Sequence, residues 1–240
     1  MLPLVSVVIP FYDCPYVDQA LNSVMNQTYA NIEILVVDDG STQFLDKVEP
    51  YMEKIKYIRK VNGGTATALN TGIVNASGDF FVWLSADDVF HPDKITKQII
   101  VMLDNSGHFC HTSYSQINDK NQIIGTLKGF DFPKRIHLVN TLILGCIING
   151  SSVMIDMGVF QSIGLFDESL RFTHDYDMWL RMLPHYEFYY LHEDLVQYRI
   201  HKNMGSTKYA DEIQNEIIFV QEKHRAKTSQ LVRFLQQETT

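Results

Sequence analysis

Hydrophobic positions in the first hundred residues alternate between two patterns. Val5 to Pro10 (VSVVIP) is an unbroken apolar run rich in β-branched residues, as in a strand buried on both faces of a parallel sheet. From Tyr16 onward Val17, Ala20, Leu21, Val24 and Met25 recur at helical spacing, and the pattern fades at Asn26 to Tyr29. The order then repeats, with a strand at Ile32 to Val37, a helix at Phe44 to Ile55 and a short strand at Lys56 to Arg59. A helix at Ala66 to Ala76, a buried strand at Asp79 to Leu84 and a helix from Pro92 to about Leu103 complete the series. Such alternation predicts right-handed crossovers and an α/β fold on an open, mostly parallel sheet, with ligands at the carboxyl ends of the strands. Polar clusters follow three of the strands, at Phe11 to Asp13, Asp38 to Thr42 and Ser85 to Asp88, so these loops should converge on one crevice.

Beyond residue 104 the pattern loosens into a second subregion. Short strands are expected at Cys110 to Ser115, Ile123 to Leu127 and Ser152 to Ile155, a short helix at Val159 to Ile163, and a helix at Tyr176 to Leu183 that stops before Pro184. Tyr198 to Asn203 reads as a loop over the site. From Tyr209 a helical pattern places Ile213, Ile217 and Val220 on one face, and three placements stay open for it: packed on the domain, paired with a second copy, or resting on a membrane surface.

Composition narrows the class. A chain of 240 residues with 45% hydrophobic content buries one sizeable core, so a single domain is expected. Apolar runs such as Leu142 to Ile148 fall short of the roughly 18 to 20 residues that a spanning helix requires. No basic stretch with a cleavage site opens the sequence, so the expectation is a cytoplasmic protein, with any membrane contact peripheral at the inner face. Cys14, Cys110 and Cys146 suit neither a disulfide framework nor a zinc site. A net charge of -8 opposes nucleic acid as a partner but admits nucleotides, since a divalent cation can mediate between carboxylates and a diphosphate.

Four clusters carry candidate chemistry. Asp38-Asp39-Gly40-Ser41-Thr42 reads as a capped turn, or as a turn whose second carboxylate accepts a hydrogen bond from a nucleobase N–H such as that of uracil. Ser85-Ala86-Asp87-Asp88 sets two carboxylates at a strand end, where they repel unless a cation intervenes; oxygen ligands favour Mg²⁺ or Mn²⁺. Asn62-Gly63-Gly64-Thr65 either lets backbone approach a ligand or makes a turn before a helix, and it has the spacing of neither a dinucleotide fingerprint nor an NTPase phosphate loop. In His174-Asp175-Tyr176-Asp177 two acids stand at a helix amino end, where the dipole favours them whether or not they do chemistry.

Taken in order, these stretches resemble glycosyltransferase family 2, from VSVVIPFYD and EILVVDDGST through SGDFFVWLSADDVFHPDKI and GLFDESLRFTHDYDMWLR to YRIHKNMGST, over most of residues 4 to 207. The resemblance implies a GT-A fold with a smaller acceptor-side subregion: a nucleotide-sugar-binding half at 1–104, an acceptor-binding half at 105–205 and a C-terminal helical segment at 206–240. It implies a nucleotide-sugar donor, of which a UDP-sugar is the expected kind, a saccharide or lipid-linked acceptor, and a part in surface polysaccharide or lipopolysaccharide synthesis. Pro10, Phe11 and Tyr12 would line the nucleobase pocket, with Tyr12 stacking on the base and Asp39 reading its edge. Gly64 would approach the nucleotide, Asp87 would lie near the ribose, Asp88 would hold the metal, and His201 would face metal or phosphates. Arg199 or Lys202 would pair with the diphosphate. Asp175 would be the catalytic base of a metal-dependent inverting transfer. Asp13 departs from the Asn the family often has there, and His174 from its Glu. Two competing readings are a silent nucleotide-sugar-binding subunit and a sugar-phosphate nucleotidyltransferase; the second lacks its Gly-, Arg- and Lys-bearing loop after the first strand.

Overall fold

The computed structural model describes residues 2–125, 127–202, 204 and 208–238. Its strands are β1 (Val5–Phe11), β2 (Ile32–Asp38), β3 (Lys56–Arg59), β4 (Phe80–Trp83), β5 (Val89–Phe90), β6 (Phe109–Ile117), β7 (Met154–Asp156) and β8 (Tyr189–Arg199). The helices are α1 (Val17–Met25), α2 (Thr65–Asn75), α3 (Lys94–Asp104), α4 (Arg135–Leu144), α5 (Gly158–Ile163), α6 (His174–Met182) and α7 (Ala210–Glu238). The described strands form a single eight-stranded sheet in the order β3-β2-β1-β4-β7-β6-β8-β5.

Period-two burial makes this sheet the centre of two cores. Val8, Leu35, Val37, Phe81, Trp83, Phe109 and Ile155 face one layer, which includes residues of α2, α4, α5, α6 and α7. Their neighbours Val7, Ile9, Ile34, Val36, Val82, Cys110 and Met154 face the other, which includes α1 and α3. Both faces of the central strands are therefore covered, which explains why β1, β2 and β4 read as continuous apolar runs.

The amino-terminal half follows the sequence pattern closely. β1 pairs in parallel with β2 and β4, and β2 in parallel with β3. Two expectations change, at Phe44 to Ile55 and at Ile123 to Leu127. Phe44 to Ile55 is not an α-helix but two 3₁₀ turns, Leu45–Lys47 and Glu49–Lys54. Phe44 stands in a left-handed conformation, and Pro50 has no N–H to donate. The sheet is mostly parallel, as expected, with β6 and β8 also paired in parallel, while β7 runs antiparallel to β4 and β6, and β5 antiparallel to β8. Ile123 to Leu127 makes isolated bridges, Ile117 to Ile123 and Tyr114 to Lys128, rather than a strand, and Thr126 lies outside the described residues.

The expected loop at Tyr198 to Asn203 begins later, since Tyr198 and Arg199 end β8; Asn203 lies outside the described residues. Of the open placements for the carboxyl-terminal segment, packing on the domain is the one seen. Val220, His224, Thr228, Leu231 and Leu235 are buried at helical spacing. No helix among the described residues is long and apolar enough to cross a membrane.

Candidate functional site

The strand ends and loops named by the sequence do converge. A cavity of about 450 Å³ opens at the carboxyl ends of β1, β2 and β4, lined among others by Pro10, Tyr12, Asp39, Trp83, Asp87, His174 and His201. Loops after parallel strands present their polar groups at this edge because the strands themselves are fully paired.

Asp39 is 3% exposed and is held by three donors: Lys60 Nζ at 2.6 Å and Gly63 N at 2.9 Å on Oδ1, and Gly64 N at 2.7 Å on Oδ2. A carboxylate has about four lone-pair sites, so one acceptor site remains for a ligand. Gly64 reaches Asp39 from φ +92°, a conformation that favours glycine, so its contribution is to fix the carboxylate. The neighbouring Asp38 is buried and spent within the fold, accepting from Ser41 N at 2.6 Å and from the Tyr57 hydroxyl. Asp13, at φ 43°, accepts from Thr42 N and Gln43 N, both at 2.7 Å, and so ties the loop after β1 to the loop after β2. Tyr12 is 56% exposed at the lip of the cavity, with its ring free to stack. The ring of Phe11 instead belongs to the core against α1, so its expected place in a nucleobase pocket shrinks to its edge on the lining.

The acidic pair after β4 divides its work differently from the expectation. Asp87 lines the cavity, its Oδ2 3.0 Å from His201 Nε2. Asp88 is 1% exposed and points into the protein, accepting from Ser151 Oγ at 2.6 Å and Arg199 N at 2.9 Å. Burial, together with the charge of Asp87 beside it, pushes the Asp88 carboxyl well above the usual range. Adjacent side chains leave an extended segment on opposite sides, and here the first acid, not the second, meets the cavity. Arg199 corrects the expectation as well. It is fully buried, and its guanidinium donates to Asp87 O (2.8 Å), Asn118 O (2.9 Å), Asn121 Oδ1 (2.6 Å) and Gln19 Oε1 (2.9 Å). Tyr16 lies under the guanidinium at 4.3 Å and beside the His201 ring at 5.5 Å. Four of the five N–H groups of the Arg199 guanidinium are thus taken within the fold, so it supports the site from behind Asp87 rather than meeting phosphate.

Helix α6 supplies the third part. His174 lines the cavity, 4% exposed and 5.6 Å from the Trp83 ring, and burial lowers its basicity, keeping the imidazole neutral near pH 7. Asp175 is not among the lining residues; it stands one residue further on, half-buried, with Oδ1 accepting from Tyr176 N at 2.7 Å and Oδ2 4.0 Å from Cys146 Sγ. Its burial raises the carboxyl pKa above the ordinary value, as suits a general base. Asp177 points the other way, into the protein. Burial alone would raise its pKa, but hydrogen bonds from His224 (2.8 Å) and Lys223 and the Arg181 guanidinium (2.7 Å) hold it far below the usual range.

Sequence reasoning missed the grip of α7 on this segment. Glu216 takes four hydrogen bonds at the entry to α6, from Arg171 N (2.9 Å), Phe172 N (2.8 Å), Thr173 N (2.7 Å) and Thr173 Oγ1 (2.9 Å). Lys60, the partner of Asp39, was missed too. A lysine after a short strand and a glutamate within a polar helix carry no local mark of what they meet in space.

Among the described residues no three His, Cys, Asp or Glu side chains gather as a metal cage. Asp87 and His201 nevertheless fit a Mg²⁺ or Mn²⁺ that takes one or two protein ligands and completes its shell with substrate phosphates and water.

Comparisons with known proteins accord with this geometry. The family model described as Glycosyl transferase family 2 matches residues 6–164. An uncharacterized glycosyltransferase of Rickettsia prowazekii is 42% identical over 205 residues, which cover 83% of this chain and 64% of that protein. The chain therefore spans less than two thirds of the length of this relative. An Escherichia coli protein named UDP-Glc:alpha-D-GlcNAc-diphosphoundecaprenol beta-1,3-glucosyltransferase is 35% identical over 188 residues, 75% of this chain and 70% of that one. In fold, the chain is similar to Staphylococcus aureus TarS residues 1–349 in complex with UDP, at a TM-score of 0.65 and 18% identity over 90% of this chain and 65% of that one. The complex of that protein with UDP-GlcNAc gives 0.66 at 18% identity, over 84% of this chain and 60% of that one. The chain belongs to glycosyl transferase family 2.

Proposed function

We propose that the protein transfers a sugar from a UDP-sugar to a hydroxyl of a saccharide or lipid-linked acceptor, with inversion at the anomeric carbon and with the help of Mg²⁺ or Mn²⁺. The observation that carries this reading is the meeting, around one cavity, of a pre-oriented acceptor at Asp39, an outward carboxylate at Asp87 beside His201, and His174, whose neighbour in sequence is the raised-pKa carboxyl of Asp175. Tyr12 stacks on the base, while the remaining lone pair of Asp39 accepts the N–H of a uracil ring. Asp87 and His201 would hold the cation, which when bound would offset the charge of the departing diphosphate. Asp175 takes the proton of the acceptor hydroxyl as its oxygen attacks the anomeric carbon and the bond to the diphosphate oxygen breaks on the opposite face. A single displacement of this kind inverts the centre without a covalent intermediate.

The uridine-bearing TarS complexes and the name of the Escherichia coli relative support the choice of nucleotide. The test is Asp175→Asn assayed for transfer and for UDP-sugar binding. Turnover should fall by about 10² to 10⁴-fold, the usual worth of a positioned base, with donor affinity nearly intact. Unchanged turnover would remove Asp175 from the reaction, and a wild-type protein that binds donor without any transfer would favour the silent subunit.

A further inference from the structure

The segment leading into α6 carries a group that the donor reading leaves unused. Arg171 lines the cavity, and its guanidinium lies 5.1 Å from the centre of the Phe172 ring and 4.7 Å from that of Tyr209. Lys208 brings a second cation to the same ring, 5.2 Å from its centre. The two aromatic rings pack on each other at 5.1 Å. Lys208 and, behind it, Arg171 draw the exposed Tyr209 phenol below its ordinary pKa.

In a chain of net charge -8, an arginine at a cavity mouth would ordinarily meet a carboxylate. Among the described residues none lies within ion-pair distance of Arg171 or Lys208, although Asp211 and Glu212 follow closely on α7. The backbone beneath Arg171 is fixed, because Glu216 accepts its N–H and those of Phe172 and Thr173. Stacking on aromatic faces leaves the edge of a guanidinium, with its paired N–H groups, for a bidentate oxyanion. The lysine adds a mobile point charge. Asp87 and His201 line the same cavity as Arg171 and Phe172, while Tyr209 stands beside that lining through its contacts with Arg171 and Phe172, and Lys208 through its contact with Tyr209.

We propose that Arg171, Lys208 and the Phe172–Tyr209 shelf form a subsite for a phosphate or diphosphate group carried by the acceptor. This rests on the glycosyl-transfer reading and deepens it: the substrate receiving the sugar would be a phosphorylated saccharide carrier rather than a neutral glycan.

The experiment uses the full chain. UDP with Mn²⁺ is first titrated alone, and its failure to bind would count against the donor reading and not against the shelf. Octyl diphosphate is then titrated into protein saturated with UDP and Mn²⁺, with octanol and vesicles of phosphatidylglycerol as parallel arms. Octyl diphosphate should bind without displacing UDP, octanol should not bind, and Arg171→Ala and Lys208→Ala should each weaken octyl diphosphate about tenfold, the worth of one charge-assisted hydrogen bond. UDP affinity and melting temperature should stay at the wild-type values in both variants. Displacement of UDP by octyl diphosphate would assign these cations to the donor. Equal affinity in the wild type and both variants would overturn the subsite, and so would binding to vesicles with none to octyl diphosphate.

Discussion

Glu216 offers the sharpest test of how this site is held. Its carboxylate collects three backbone N–H groups and one hydroxyl from residues 171–173, all between 2.7 and 2.9 Å, at the point where the chain turns into α6. Hydrogen bonds to a charged group are worth about 1.5–3 kcal/mol each, so four would sum to about 6–12 kcal/mol if none were replaced. The site is only part-buried, and water can re-satisfy most of these donors once the side chain is cut back. A net cost of about 2–4 kcal/mol for Glu216→Ala is the outcome expected. For a domain of this size that lowers the melting temperature by roughly 4–16 °C. Glu216→Gln separates charge from shape. Its oxygen can keep the three bonds made to Oε2, while its amide must turn an N–H toward the N–H of Arg171, so it should fall between the wild type and Ala. Melting curves and transfer assays on the three proteins decide the matter. Because the segment sets His174 on the cavity and Asp175 next to it in sequence, transfer should fall more than UDP binding does. A Glu216→Ala protein that melts within a degree of the wild type and transfers at full rate would refute the reasoning.

Three further outcomes follow from the same structure. Asp177→Ala leaves Lys223, His224 and Arg181 around a void and should cost about 3–5 kcal/mol, the range for breaking a buried ion pair, measured by urea unfolding at pH 7. Since the folded pKa of Asp177 lies below the unfolded value of about 3.9, its contribution is complete above that pH and is lost as pH falls through the folded value. The wild type should therefore lose its advantage over Asp177→Asn only below about pH 4, as unfolding midpoints across pH 2–6 will show. Gly150→Ala would set a Cβ 2.3 Å from the Trp83 ring, forcing it to shift at a cost of about 1–3 kcal/mol; tryptophan emission and melting temperature report the move. Asp87→Asn should keep the melting temperature of the free protein while abolishing the Mn²⁺-dependent part of the UDP stabilisation, whose total is about 2.7 kcal/mol in the wild type at a hundredfold excess over Kd.

Local pattern was enough for most of the amino-terminal half. β1, β2, β3 and α2 are visible in the sequence because a sheet covered on both faces demands unbroken apolar strands, and because helices at period 3.6 must alternate with them. The place of Asp39 and Asp87 at strand ends followed from that topology. What was not legible depends on long-range partners. Within the eleven residues of β8, the partly exposed His192, Glu193 and Asp194 read as polar chain, and pairing with β6 and β5 on either side makes the segment a strand. Likewise, nothing at Asp87-Asp88 tells which acid turns inward; Ser151 and the backbone of Arg199 decide it from 63 and 111 residues away. Asp177 looked interchangeable with Asp175 until α7 supplied its cations.

The buried guanidinium of Arg199 constrains how members of this family can be recombined. It stitches together Gln19, the carbonyl of Asp87, and Asn118 and Asn121 of the segment after β6. A chimera that imports a foreign segment there must bring a side-chain oxygen at position 121 and a free carbonyl at 118. Without them it would strand an uncompensated cation in the interior, and the donated half would be lost along with the recipient one.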